Sequence, residues 1–378
     1  MRRLRPLWDL GELPFHIGTR RKATNGEPPD LLPFALGVDE GTGALAQLPR
    51  PEVSEALEEA YKEGSQIGTP LSPAGMGKPG LDEFLAFLTD SVGGTFEGVK
   101  VLEIGSGAGA VLDALSERGA DVIGVEPDER KAASSTVPVI PKPFTRELLG
   151  ERRFDLITNY GVLEHVEEPL VFVEDQLALL EPQGVIAFSV PNCGNALAHG
   201  DISMLVHEHW SYFAPESLAA LAGEAGAEVV ETRPGHAAGT QYCVWRPGGT
   251  GHTKPADGAE TFVERGREGV ARLQAYLLET RERGLTLGVF APSRFINYQQ
   301  LLSDVCPPLR YFDDDPKHQG LYYPPFPIQV EPRASLLERP VDRLLIVSWT
   351  FGGRLSAELS DEPALGRTEI ATIADLLA

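Results

Sequence analysis

Apolar residues fall into short unbroken runs near the middle of this chain and into helix-spaced positions toward its end. The run Val101-Leu102-Glu103-Ile104 passes straight into Gly105-Ser106-Gly107-Ala108-Gly109, and a helix is expected over residues 110–117. A second run, Val122-Ile123-Gly124-Val125, ends at Glu126, and a third, over residues 154–158, leads into Asn159-Tyr160. Residues 180–192 read as a turn, a strand and a sharp stop at Pro191-Asn192. A helix at 215–225 and a terminal hairpin with strands at 228–232 and 241–245 follow. Buried strands alternating with helices predict an α/β unit with a doubly wound, largely parallel sheet.

The flanks read differently. Residues 1–78 are rich in Pro and Gly and carry short apolar pieces, so a small loop-rich accessory domain with one helix, 51–63, is expected. A helix at 81–89 leads into the core, 79–247, and the turn-rich stretch 247–258 reads as a linker. Beyond it, Phe262, Val263, Val270, Leu273, Tyr276 and Leu277 recur at helical spacing, which predicts one long amphipathic helix over 259–283. Strands at 285–290, 309–312 and 344–348 with a helix at 295–302 make residues 259–378 a second, smaller α/β unit.

Composition narrows the partners. A chain of 378 residues is long for one domain, and 42% apolar residues suffice to fill two or three cores. The net charge of −22, from 55 acids against 33 bases, argues against binding nucleic acid or an anionic membrane, which need clustered Lys and Arg. No apolar run reaches the length of a membrane span. The basic start Met1-Arg2-Arg3 is followed by Trp8-Asp9-Leu10 rather than an apolar signal core, so a cytoplasmic protein is expected. Cys193, Cys243 and Cys306 are scattered, which makes neither a disulfide framework nor a zinc site.

The glycine turn is where chemistry is expected. A strand, a glycine turn and a helix bring backbone close to a ligand, and a carboxylate at the end of the next strand, Glu126, can take both hydroxyls of a ribose. Gly105-x-Gly107-x-x-Ala110 with Glu126 fits a dinucleotide as well as S-adenosylmethionine. Glu103, two residues before the first glycine, is placed to face the cationic end of a methionine moiety. With the later strands at 154–160 and 180–192, the order of elements over residues 100–192 resembles the class I S-adenosylmethionine-dependent methyltransferases. The resemblance implies a Rossmann-like core with a cofactor site built from Glu103, Gly105, Ser106, Gly107, Gly109, Glu126 and Pro127. Asn159, Tyr160 and Glu164 would form its other wall, Phe144 would cover the adenine, and Tyr61 would reach over from the accessory domain. S-adenosyl-L-homocysteine would be the product.

Past Asn192 comes Val206-His207-Glu208-His209-Trp210-Ser211-Tyr212-Phe213. Two histidines around a carboxylate beyond a strand end lie where open α/β sheets place ligands. No third metal ligand is identifiable from spacing, so no metal is expected there. The run resembles the Tyr-His-Glu-His-x-x-Tyr-Phe stretch of the C-methyltransferases that act on nucleotide-linked keto-deoxysugars in antibiotic pathways. Asp313-Asp314-Asp315-Pro316-Lys317-His318-Gln319-Gly320 and Leu345-Ile346-Val347-Ser348-Trp349 are similar to that family's C-terminal motifs, and Leu10-Gly11-Glu12-Leu13-Pro14 to its N-terminus. The likeness departs at Asp39-Glu40-Gly41-Thr42, which stands where the family has zinc-binding cysteines, so no zinc is expected in a degenerate N-terminal domain. Val206 replaces a tyrosine, and Ala291-Pro292-Ser293-Arg294-Phe295-Ile296-Asn297 replaces a Lys-Gly-Asn turn.

These residues imply a transferase for a small-molecule substrate. The resemblance implies His209 as the base that deprotonates a carbon beside a ketone, with Glu208 orienting it and His207 and Tyr212 as further candidates. Its imidazole is expected near the ordinary value of about 6.5. Arg294, Asn297 and Lys317 are the candidate substrate contacts. An O- or N-methyltransferase on the same architecture, a non-catalytic binding module and an NAD oxidoreductase stay open, as does the oligomeric state.

Overall fold

A computed structural model of the chain describes residues 2–15, 18–24, 29–62, 71–235, 239–249, 255–349 and 351–377. Its centre is a seven-stranded sheet. The strands lie in the order Ala227–Pro234, Thr240–Pro247, Leu180–Pro191, Phe154–Tyr160, Lys100–Ile104, Asp121–Val125, Val139–Ile140. The last five are parallel, and Thr240–Pro247 and Ala227–Pro234 add an antiparallel edge. Alternate residues of each strand leave on opposite faces. Val101 and Leu156 pack with Phe84, Phe87 and Leu112 from the helices Lys78–Ser91 and Ala110–Ser116. Leu102 and Ile157 pack with Phe172, Val173, Leu218 and Leu221 from Pro169–Ala178 and Pro215–Glu224. All four of those strand residues are fully buried, which is why the runs are unbroken rather than alternating.

The chain leaves Lys100–Ile104 toward one edge of the sheet and returns at Phe154–Tyr160 to build toward the other. The switch point therefore lies between these two strands, with Glu103 and Thr158 as register partners. Open α/β sheets bind ligands outside the carboxyl ends of the strands at this position.

The N-terminal segment departs from the loop-rich expectation. Leu4–Pro14, Leu31–Asp39 and Leu45–Gln47 form an antiparallel sheet, which Ser211–Tyr212 completes. Pro6, Gly11, Pro33 and Gly37 inside these strands hide them from a propensity reading. The first strand has register shifts between Pro6 and Trp8 and between Asp9 and Glu12.

Gly258–Glu282 is the long helix, followed by a parallel five-stranded sheet in the order Val330–Glu331, Leu309–Phe312, Leu287–Phe290, Arg343–Ile346, Glu369–Thr372. One hydrophobic core joins Leu10, Phe34, Leu36 and Leu45 of the N-terminal sheet to Phe262, Leu273, Val289 and Tyr311 of this C-terminal unit. Where the family resemblance implies cysteines, Asp39 closes its own turn by accepting the Gly41 N–H at 3.0 Å, and pairs with Arg2 Nε at 2.9 Å. That pair is nearly buried, with side chains 5% and 10% exposed. Among the described residues, no helix is long and apolar enough to cross a membrane.

Candidate functional site

The glycine turn is organised from within. The N–H groups of Gly105 and Ser106 donate to the Val125 carbonyl at 2.8 and 3.3 Å, and that of Gly109 to Ser106 at 2.9 Å. Glu126 accepts the Gly107 N–H at 2.8 Å on one oxygen and the Asp128 N–H at 3.0 Å on the other. The turn therefore spends these amides on the protein rather than presenting them to a ligand, which corrects the expectation. Gly105 takes φ 71°, and a Cβ there would meet Val162 at 2.6 Å; at Gly107, with φ 55°, a Cβ would meet only open space.

What the site offers a ligand is orphaned polar side chains. Glu103 Oε2, Ser106 Oγ, Thr158 Oγ1 and Asn159 Oδ1 are buried without a hydrogen-bond partner. Buried polar atoms in native proteins nearly always have one, so this cradle fits a polar ligand. Burial, and then the Glu126 charge, raise the Glu103 carboxyl well above the usual range despite a hydrogen bond from the Leu112 N–H. A carboxyl held there favours a cationic partner. Both Glu126 oxygens keep a lone pair for ribose hydroxyls. A pyrophosphate would find committed amides and two carboxyls instead of an anion hole. The residues fit S-adenosylmethionine, with its ammonium toward Glu103 and its ribose toward Glu126, and do not fit a dinucleotide.

Of the other expected cofactor contacts, the Asn159 amide lies 3.4 Å from Gln176 Oε1, and Tyr160 sets its ring edge-on to Phe84. Phe144 is half-buried edge-on to Phe172, Pro127 is exposed, and the Tyr61 side chain lies outside the described residues.

Beyond the strand end at Tyr160, Glu164, His165 and His209 gather, with ligand-capable atoms of all three within 4.8 Å of one another. His165 is the functional candidate that the sequence reading missed, though an acid–histidine pair just past a core strand was a signal for it. Its Nδ1 lies 2.8 Å from the Glu208 carbonyl and must donate to it, so the lone pair of the neutral ring sits on Nε2, 3.9 Å from Glu164 Oε1. The His165 and His209 rings meet edge to face at 4.9 Å. Burial raises Glu164 to about 8 and lowers His165 to about 4. Burial, then His165 and Arg294, hold His209 well below its ordinary value, rather than near 6.5 as expected. Both imidazoles are neutral at pH 7. The Glu164 carboxyl lies between the strand end, where a Cβ at Gly161 would stand 3.4 Å from its Oε1, and the His165 ring, 3.9 Å away.

The segment before His209 is gripped from all sides. Asn297 Nδ2 donates to the Ile202 and Leu205 carbonyls at 2.9 and 2.8 Å. The Tyr212 hydroxyl donates to the Val206 carbonyl and accepts the Val206 N–H, both at 3.0 Å. Gln47 Nε2 donates to the His207 carbonyl at 3.1 Å, and the Trp210 N–H donates to the Glu164 carbonyl at 2.8 Å. Tyr212 and Asn297 thus spend their donors on backbone instead of facing chemistry. His207 is 1% exposed between Phe15 and Phe34, donating from Nε2 to the Leu32 carbonyl at 3.2 Å. It anchors the loop to the N-terminal sheet. Glu208 is half-buried and Lys317 exposed, while Arg294, also exposed, reaches the Ser203 carbonyl at 3.4 Å.

A doubly wound sheet with a carboxyl pair at its switch point and a glycine turn between them is the Rossmann-like class I methyltransferase fold. Residues 74–232 match the family described as "Methyltransferase domain". The chain is 29% identical over 196 residues to the C-methyltransferase NovU of Streptomyces niveus, covering 48% of this chain and 46% of that protein. It is 31% identical over 144 residues to a ubiquinone biosynthesis O-methyltransferase of Rhizobium etli, covering 32% of this chain and 58% of that one. The chain thus spans about half the length of these curated relatives. A solved 1,6-didemethyltoxoflavin-N1-methyltransferase of Burkholderia thailandensis overlays 56% of this chain and 93% of its own, at 22% identity and a TM-score of 0.39.

Proposed function

We propose that this protein is a cytoplasmic S-adenosylmethionine-dependent methyltransferase that adds a methyl group to carbon in a small keto compound, a nucleotide-linked keto-deoxysugar by its resemblance. The observation that carries the cofactor half is the unpartnered Glu103 Oε2 at the switch point, within reach of the Glu126 charge. When bound, S-adenosylmethionine supplies an electrophilic methyl group. The protein's task is to generate and hold the nucleophile.

His209 takes the proton from the carbon beside the ketone. Its ring is neutral and buried, so its lone pair is available at cytoplasmic pH without competition from bulk water. Glu164, raised to about 8, carries a proton at pH 7 that it can donate to the developing enolate oxygen. Glu208 fixes the cluster through its backbone carbonyl on His165. Arg294 lies near enough to His209 to influence it, and contacts an anionic part of the substrate.

The test is mass spectrometry of the protein incubated with S-adenosylmethionine and a panel of nucleotide-linked keto-sugars, hydroxylated aromatics and amines. Gain of one methyl by a keto-sugar is the expected result, and methylation of the other classes alone would refute it. Ubiquinone O-methyltransferases among the relatives favour a second reading, in which His209 deprotonates a hydroxyl. In heavy water, exchange of the proton beside the ketone separates the two.

A further inference from the structure

Among the described residues, Glu164, His165 and His209 bring one carboxyl and two imidazoles together beyond the end of the central sheet. Glu164 is 4% exposed and its Oε2 has no hydrogen-bond partner. His165 donates Nδ1–H to a backbone carbonyl, which is the tautomer-fixing bond that metal-bound histidines make, and it turns the Nε2 lone pair inward. His209 closes the third side, ring against ring. The ligand atoms lie within 4.8 Å of one another. In a tetrahedral zinc site they stand about 3.3 Å apart, so small side-chain rotations suffice. Trp210 donates its N–H to the Glu164 carbonyl, so the two elements that carry the ligands are already tied together.

We propose that Glu164, His165 and His209 form a binding site for a divalent transition-metal ion. Two nitrogen ligands and one oxygen suit zinc, cobalt, nickel or iron(II), and are a poor match for calcium or magnesium, which prefer oxygen alone. The ion binds the neutral imidazoles and the ionised carboxylate, so Glu164 releases its proton on binding. A consequence rests on the proposed function: His209 cannot hold an ion and accept a substrate proton through the same nitrogen. Metal and methyl transfer therefore compete for this cluster, and metal occupancy silences the enzyme.

The probe is cobalt(II), added to the purified full chain and followed by visible absorption and by equilibrium dialysis. One equivalent is expected to bind with strong ligand-field bands, and zinc(II) should displace it. Glu164→Gln and His209→Gln are each expected to abolish the bands; they are read separately, with circular dichroism, so that misfolding of one leaves the other to decide. Absence of stoichiometric binding, or bands that persist in a folded variant, overturns the site. If cobalt binds and methyl transfer continues at saturation, the competition is overturned while the site stands. If no substrate is ever methylated, the spectra still decide the site by themselves.

Discussion

Glu103→Gln separates two demands on one buried carboxyl. In the ligand-free protein, burial and the facing Glu126 make ionisation unfavourable and hold Glu103 well above the usual carboxylate range. An acid raised in the folded state contributes stability that is present below its unfolded value and is lost as pH rises through the folded one. Glutamine keeps the shape and cannot ionise. The variant is therefore expected to melt above the parent at about pH 8, with the gap closing toward about pH 4. Cofactor binding should move the other way. An ammonium at Glu103 Oε2 makes a charge-assisted hydrogen bond worth about 1.5–3 kcal/mol, and losing it predicts about 10- to 150-fold weaker S-adenosylmethionine binding. Titration calorimetry in buffers of different ionisation heat reads both effects, because the parent should release a proton on binding and the variant should not. Equal affinity of the two proteins at about pH 8, or binding heats of the parent that do not depend on the buffer, would refute the reasoning.

Three further outcomes follow from the geometry. His209→Gln should lower kcat by about 10²- to 10⁴-fold with the cofactor dissociation constant nearly unchanged, measured by steady-state kinetics beside calorimetry. Asp39→Ala strands the nearly buried Arg2 and opens the turn at Gly41, so denaturant unfolding should show a loss of about 3–5 kcal/mol. Asn297→Ala removes both donors from the Ile202 and Leu205 carbonyls; about 1–3 kcal/mol of stability should go, with kcat falling more than KM rises because the loop carrying His209 loosens.

The central sheet was legible because its strands are buried on both faces, and unbroken runs such as Val101–Ile104 leave little choice of structure. The N-terminal sheet was not. Its strands carry proline and glycine, and its last partner, Ser211–Tyr212, comes from beyond the whole cofactor half, so no local pattern announces the pairing. Glu103 and Glu126 were readable from their places at strand ends. The cluster of Glu164, His165 and His209 was only half readable, since it depends on the loop after Phe154–Tyr160 meeting a loop more than forty residues later. Side-chain roles were harder still. Tyr212, His207 and Asn297 carry the atoms of chemistry in sequence, and in the fold those atoms hold backbone.

Leu45 pairs with Tyr212, and Leu36 shares a core with Leu273 and Val289. During synthesis the first three strands leave the ribosome long before their fourth strand, and longer still before the residues that cover them. They must wait with apolar faces and an open sheet edge exposed, a state prone to aggregation. The edge left open is that of Leu45–Gln47, and heterologous production should improve when translation is slowed by cooling or assisted by a holding chaperone.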